Sequence, residues 1–490
     1  MSAERVEAAS AAPSLGIRTL RGTAWAYASY IGGQAIVLAS TALLARILSP
    51  AEFGLVALAL VFITLLDTVS DLGLGPALVI SSEEALRDRA NTVFALTVLI
   101  GAVLSALTAA IAPLAALVFH QPELVPLLAV LGLNFLLRSF GATHYAVAQK
   151  RIDFRSRTAA ELAGVVVRGG TGITLALAGF GAWSLVVGYL AGTVAVTATL
   201  WSLVPWRPSG RPSRVRVPAM LRFGTTLTGV DVLAAVISQV DYVFVARVLG
   251  TQALGLYTLG FRLPEMLIIS LAVVAGRVLF PAFAAVEREE LRRVFLVSVR
   301  YAAIVAFPLA AGLAALAEPF VLALFGDRWH GSIAAMRVLS LYAPAVAIGI
   351  PAGIAYKATG EAAILLKLAV PRTVLVVVSI ALFVREGIVA VAACQAGVAS
   401  LFALIGFVIA SRMLRVTATE FVSTLLPPLL SASGMAVVAL SLAAVIDSPT
   451  GALAVAVPAS ALSYFGLLWV VAPDVNRDLR ERIAGALQRA

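Results

Sequence analysis

The stretch TVFALTVLIGAVLSALTAAIAPLAALV, residues 92–118, runs for twenty-seven positions without a charged side chain. A crossing of the bilayer core asks for about 20 consecutive apolar residues, so this run is long enough to span with some tilt. Working outward, similar runs, cut by Pro, Gly and charge clusters, fall at 22–44, 53–79, 124–146, 159–179, 181–204, 223–245, 253–280, 299–324, 332–356, 362–384, 388–410, 421–446 and 450–472. The whole chain is 490 residues, 61% hydrophobic and only 13% charged, where a globular domain carries roughly a quarter charged. An all-α, polytopic membrane protein of fourteen transmembrane helices is therefore expected. The tightest connectors, Gly179-Phe180-Gly181 and Val384-Arg385-Glu386-Gly387, both contain glycine, as hairpin tips do.

The position of the basic residues tests this division, because Lys and Arg accumulate on the cytoplasmic side. With the N-terminus inside, twenty-four of the 36 Lys and Arg fall on cytoplasmic connectors and tails. Only Arg46, Arg247, Arg328 and Arg385 fall outside, and the remaining eight lie within spans. A wrong span count would scramble that alternation. The net charge of +10 is thus a topological signature, and nucleic acid is not the expected partner. Cys394 is the only cysteine, and His120, His144 and His330 are widely separated, so disulfide, thiolate-metal and HExxH chemistry lack their residues. No cofactor and no enzymatic activity are expected.

A repeat divides the chain further. Ala45-Arg46-Ile47-Leu48 through Phe53-Gly54-Leu55 matches, 201 residues on, Ala246-Arg247-Val248-Leu249 through Leu254-Gly255-Leu256. A second match, offset by 206, pairs Glu83-Glu84, Arg87, Pro113 and Phe119 with Glu289-Glu290, Arg293, Pro319 and Phe325. Two pseudo-symmetric six-helix lobes follow, at 22–204 and 223–410, joined by a basic cytoplasmic linker at 205–222. Residues 421–472 add two further helices, and 1–21 and 473–490 are cytoplasmic tails.

The stretch Asp241-Tyr242-Val243-Phe244-Val245-Ala246-Arg247-Val248-Leu249-Gly250, with Ala253 to Tyr257, Phe261-Arg262-Leu263 and Arg277 to Pro281, resembles the polysaccharide-transporter branch of the multidrug/oligosaccharidyl-lipid/polysaccharide flippase superfamily. Asp71-Leu72-Gly73-Leu74-Gly75, Ala148 to Phe154 and Phe180 to Leu185 are similar to the same family, and the resemblance covers essentially the whole chain. It implies a bacterial inner-membrane flippase moving undecaprenyl-diphosphate-linked sugar units outward by alternating access. A cation gradient, H+ or Na+, is the implied drive, and membrane lipids and a polysaccharide polymerase machinery are the implied company. A drug or metabolite exporter of the same superfamily is the nearest rival. A membrane polymerase or ligase is weaker, since no outer connector is long enough to hold an acceptor.

The charges within spans are the candidate site, because each Arg at a helix centre costs roughly 2.5–3.5 kcal/mol to insert. Arg138, Arg168, Arg262 and Arg277 are the candidates for an anionic diphosphate headgroup, which guanidinium forks match in a bidentate way. The competing reading is an ion pair holding the bundle: Glu265 for Arg262, a partner on another helix for Arg138 and Arg168. Asp231, Asp241, Asp71 and Glu265 are the candidates for ion coupling or gating. Asp241 lies near Arg247, which suggests a gate salt bridge, and Asp71 precedes the Gly73-Leu74-Gly75-Pro76 break, which suggests capping or pairing there. Pro264 and Pro308 should kink their helices.

Overall fold

The computed structural model describes residues 32–70, 73–79, 83–209, 217–361 and 363–472, and among these there are helices and no strands. In chain order they are α1 (Gly32–Ile47), α2 (Pro50–Asp67), α3 (Leu74–Val79), α4 (Glu83–Phe119), α5 (Leu124–Lys150), α6 (Phe154–Leu177), α7 (Ala182–Leu203) and α8 (Val217–Pro264). A π-helical turn (Glu265–Ile269) leads into α9 (Ser270–Ala284), followed by α10 (Arg288–Ala315), α11 (Ala317–Leu324), α12 (Ile333–Ala358), α13 (Ala363–Phe383), α14 (Ile388–Leu414), α15 (Ala418–Val445) and α16 (Pro449–Val471). Twelve helical stretches of the described residues are long and apolar enough to cross a membrane. The one at Ala235–Pro281 turns at Gly250 (φ 85°, ψ 177°) and so supplies two of the expected crossings. With α1 as the described part of the first, fourteen crossings are consistent with the helices.

Local chemistry explains most boundaries. Ser49 and Glu52 form a reciprocal box at the start of α2: the Ser49 amide donates to Glu52 Oε2 at 2.7 Å and the Glu52 amide to Ser49 Oγ at 3.3 Å. Thr417 and Glu420 repeat the device at α15. Asp153 accepts from the Ser156 amide to cap α6, and hydrogen bonds from the Ser156 side chain, then from the Ser156 and Arg155 amides, hold its carboxyl below the usual range. The expected glycine hairpins are present, with Gly179 at φ 84°, Gly181 at φ 55° and Gly387 at φ 109°, backbone conformations open mainly to glycine.

The two prolines act differently. At Pro264 the ladder changes to the π turn Glu265–Ile269, a wider register that absorbs the missing N–H. At Pro308, inside α10, the carbonyl of Ile304 loses its i+4 donor. Tyr464 of α16 supplies a replacement, donating its hydroxyl to that oxygen at 2.8 Å. The two terminal helices are attached there, with Ala432, Met435, Tyr464 and Leu468 packed on Ile304, Phe307 and Ala311 of α10. Tyr464→Phe should therefore lower stability by about 1 kcal/mol or somewhat more, read as a drop in melting temperature of the purified protein. No change would mean that Ile304 finds another donor.

The described helices gather into two compact units, one of residues 32–48 with 55–239 and the other of residues 49–54 with 240–472. The first has a core of Leu74, Leu78, Val93, Val147 and Leu200, closed by Trp206. Trp206 belongs to the start of the basic linker, whose described first residues, 205–209, are fastened to this unit. The Trp206 carbonyl meets His144 Nε2 at 3.1 Å, and Asn91 exchanges two hydrogen bonds with Ser209. Arg207 donates to the carbonyls of Trp201, Val204 and Trp206. The second unit is built on Phe283, Phe295, Tyr356 and Phe407, with Phe407 stacked on Phe421 at 3.6 Å between centroids.

Candidate functional site

The first unit carries a half-open cavity of about 710 Å³, within the range of pockets that take small-molecule ligands. Its walls come from α2 through α7, and among them are Asp67, Arg138, Arg168 and Glu161. Four formal charges thus share one space inside an apolar bundle.

Arg138 projects from the middle of α5 and pairs with Asp67, at the last turn of α2. The two side chains are 57% and 33% exposed, so the pair stands in the cavity instead of being sealed in packing. Ser70 Oγ donates to the same Asp67 oxygen at 3.1 Å. Arg168 is placed by a crossing of α6 on α7 in which glycines face one another. A Cβ added at Gly192 would meet Arg168 Cβ at 2.8 Å and the Gly164 carbonyl at 2.9 Å, and one at Gly188 would meet the Arg168 carbonyl at 2.8 Å. Small residues spaced by four let two backbones approach in this way. The approach sets the Arg168 guanidinium over the Tyr189 ring at 4.5 Å, a cation–π contact of about 0.5–1 kcal/mol or more. Gly192→Ala should dislodge Arg168 and parallel the loss of that arginine in transport, while Gly170→Ala, which meets nothing within 4 Å, should not. Equal activity of the two variants would count against the positioning.

Near the α5–α6 hairpin, Tyr145 donates to Glu161 at 3.1 Å and accepts from Arg157 at 2.6 Å, with the Arg157 guanidinium 4.5 Å from the same ring centre. Elsewhere in the lining Thr193 of α7 donates to Asn134 Oδ1 of α5 at 2.8 Å. The cavity therefore offers guanidinium donors, two phenol rings and neutral amide and hydroxyl groups, a mixture suited to an anionic headgroup carrying hydroxylated rings.

In the second unit, Asp241 is only 4% exposed. It accepts from the Tyr257 hydroxyl at 2.8 Å and from the Tyr242 amide at 3.0 Å, and Gln395 of α14 is a further hydrogen-bond neighbour. The carboxylate is thus met by Tyr257 and not by Arg247, which is exposed. The expected gate salt bridge is replaced by a buried tyrosine contact, because Asp241 is buried on α8 while Arg247, six residues on, is exposed. Arg262 and Glu265 form the expected i,i+3 pair, a loose one at 3.7 Å with both side chains partly exposed. Arg372 donates to Tyr342, and Arg337 pairs with Glu318 at 3.4 Å.

Of the sequence-predicted headgroup residues, then, Arg138 and Arg168 line one cavity, and Arg262 is paired in the second unit. Arg277 lies on α9 and Asp231 on α8, with their side chains outside the described residues, as is the whole of Asp71. Tyr145, Tyr189, Asn134 and Thr193 were not singled out from sequence. Only the Gly188/Gly192 spacing hints at the crossing that brings Arg168 to Tyr189.

Residues 43–334 match the model of a family described as polysaccharide biosynthesis protein. The chain belongs to that family. It is 30% identical over 340 residues to the succinoglycan biosynthesis transport protein ExoT of Rhizobium meliloti (strain 1021), covering 67% of each chain. It is 25% identical to the teichuronic acid biosynthesis protein TuaB of Bacillus subtilis (strain 168), over 95% of this chain and 98% of that one. Among solved structures it resembles the lipid II flippase MurJ in an inward closed conformation, with a TM-score of 0.71 over 93% of this chain and 99% of that one. At 16% identity this likeness concerns the fold. This member of the polysaccharide biosynthesis family is accordingly an all-helical, multi-pass membrane protein.

Proposed function

We propose that the protein carries a polyprenyl-diphosphate-linked oligosaccharide, undecaprenyl in type, from the cytoplasmic to the periplasmic leaflet of the bacterial inner membrane. The observation that carries this reading is the meeting of Arg138 and Arg168, from different helices, in one cavity of an apolar bundle. A diphosphate crossing hydrocarbon needs charge-assisted donors in place of water, and guanidinium is the group that provides them without losing its proton. Transport by alternating access between lobes at 22–204 and 223–410, with both termini cytoplasmic, is the accompanying proposal. Arg277 is a further headgroup candidate, and Asp241, Asp231 and Asp71 are the coupling candidates for H+ or Na+. The buried, tyrosine-held carboxylate of Asp241 is the best supported of them as a site where charge and proton occupancy matter.

A cationic drug would favour an acidic cavity. Here Asp67 is taken by Arg138 and Glu161 accepts from Tyr145, which supports the anionic substrate over the exporter reading. The test is reconstitution of the full chain in vesicles. Fluorescent polyprenyl-diphosphate sugar should change leaflet in a protein-dependent manner, and ethidium-like cations should not. Movement of the cations alone would refute the reading.

A further inference from the structure

Two pairs of cavity residues repeat at the same interval on adjoining helices. Arg138 and Tyr145 stand seven residues apart on α5, and Glu161 and Arg168 stand seven apart on α6. Seven residues return to nearly the same face of a helix, two turns on, with a rise of about 10 Å. Only residues 151–153 join the two helices, so they run antiparallel, and the Tyr145–Glu161 hydrogen bond at 3.1 Å fixes their register. Seven residues from that bond along each helix, away from the hairpin, stand Arg138 and Arg168. All four line the cavity, which therefore has two levels: guanidinium groups at one, and Tyr145 with Glu161 about 10 Å nearer the α5–α6 hairpin.

The levels differ in chemistry. Tyr145 accepts from Arg157 at 2.6 Å and donates to Glu161 Oε1, so its proton is committed to the carboxylate. Among the described residues Glu161 Oε2 meets no donor, and the residue is exposed in the cavity wall. An ionised carboxylate accepts only, so a ligand there must bring donors. Gln149, one turn from Tyr145 on α5 and also in the lining, adds an amide that donates and accepts. Neighbouring hydroxyls, or a hydroxyl beside an amide N–H, meet these demands, whereas an ionised sugar carboxylate brings only acceptors.

We propose that Tyr145, Gln149 and Glu161 form a sugar subsite that selects a neutral, hydroxyl-bearing sugar next to the diphosphate. The inference rests on the reading of Arg138 and Arg168 as the diphosphate site, since the interval between the levels is one that a diphosphate and a pyranose ring bridge. A site built to hydrogen-bond a ligand hydroxyl discriminates strongly, because its polar groups are left unpaired when that hydroxyl is missing. A uronic acid in this place would set two carboxylates together with no donor between them.

The experiment measures binding by the full-length protein, in neutral detergent, of undecaprenyl diphosphate and of the same lipid carrying one glucose, N-acetylglucosamine or glucuronic acid. In wild type at least one neutral sugar should tighten binding about tenfold over the bare lipid, and glucuronic acid should not. Glu161→Gln should erase most of that gain, and with it the discrimination against glucuronic acid. Tyr145→Phe keeps the ring but releases Glu161 and should lose a smaller part of the gain, which serves if the Gln variant does not fold. Arg138→Gln should weaken all four lipids and preserve their ratios. If Arg138→Gln weakens the bare lipid but no neutral sugar tightens wild-type binding, or the gain survives both Glu161→Gln and Tyr145→Phe, the subsite is overturned and the diphosphate site stands. If Arg138→Gln leaves the bare lipid's affinity unchanged, the diphosphate reading fails and the subsite with it.

Discussion

Arg138→Gln in an Asp67→Asn background is expected to give a folded protein that has lost transport. The double change matters because the single one mixes two effects. Taking Arg138 alone leaves the Asp67 carboxylate without its cation, but with both side chains open to the cavity that loss is close to an exposed pair, about 1 kcal/mol or less. Hydrogen bonds from a charged group to an anion contribute more, roughly 1.5–3 kcal/mol, which corresponds to about tenfold to a hundredfold in affinity. The binding effect therefore outweighs the folding effect. Replacing Asp67 by a neutral isostere removes the remaining stability cost and leaves the binding loss exposed. Adding Arg168→Gln, which removes the cation held over Tyr189, should deepen the defect. Pyrophosphate titration, vesicle flipping and surface polysaccharide in a complemented strain are the readouts. Wild-type flipping by the triple variant, with normal membrane insertion, would take this cavity out of the substrate path.

Gly255→Ala is expected to have the largest effect on stability. Within the second unit the Ser49–Gly54 turn lies against the helix that follows Gly250. A Cβ at Gly255 would fall on the Pro50 carbonyl group and 3.1 Å from the Gly54 amide nitrogen, and a Cβ at Gly54 would fall on the Thr251 carbonyl group. These obstacles are backbone atoms and cannot rotate aside, so one methyl must push the two segments apart. The Phe53–Trp329 edge contact, at 5.1 Å between ring centres, would be loosened with them. Overpacking of this kind costs about 1–3 kcal/mol and occasionally more, here with lost packing of Trp329, which is wholly buried. Gly434→Ala is the control: its Cβ meets only the Leu467 side chain, which can change rotamer, and Gly349→Ala meets nothing within 4 Å. Melting of the purified proteins should fall by several degrees for Gly255→Ala and by little for the others. Equal melting of the three would show that the crossing is not tight.

The fold was largely legible because a bilayer makes local demands. Every crossing must be helical and apolar over its length, so spans and glycine hairpins can be read off consecutive residues, whereas the break expected at Gly73–Pro76 falls earlier, between the end of α2 at Asp67 and the start of α3 at Leu74. The glycines matched across the repeat, Gly54 and Gly255, were also visible, although their mutual approach was not. Ion pairs were legible only where the helix itself brings residues together, as for Arg262 and Glu265 three positions apart. The assignment of Asp241 to Arg247 failed for the same reason. Six positions along one helix looked like neighbours, but the carboxylate turned inward to Tyr257, sixteen residues on.

From composition, hydropathy and the distribution of basic residues alone, the chain was bound to be a many-helix membrane protein with arginines that had to be hidden from lipid. Which arginines share a space, and with which acids, depended on helix packing. Arg168 meets Tyr189 because the glycine-lined α6 and α7 approach closely, Arg138 meets Asp67 across α5 and α2, and such distances between remote segments are not written in any local pattern of residues.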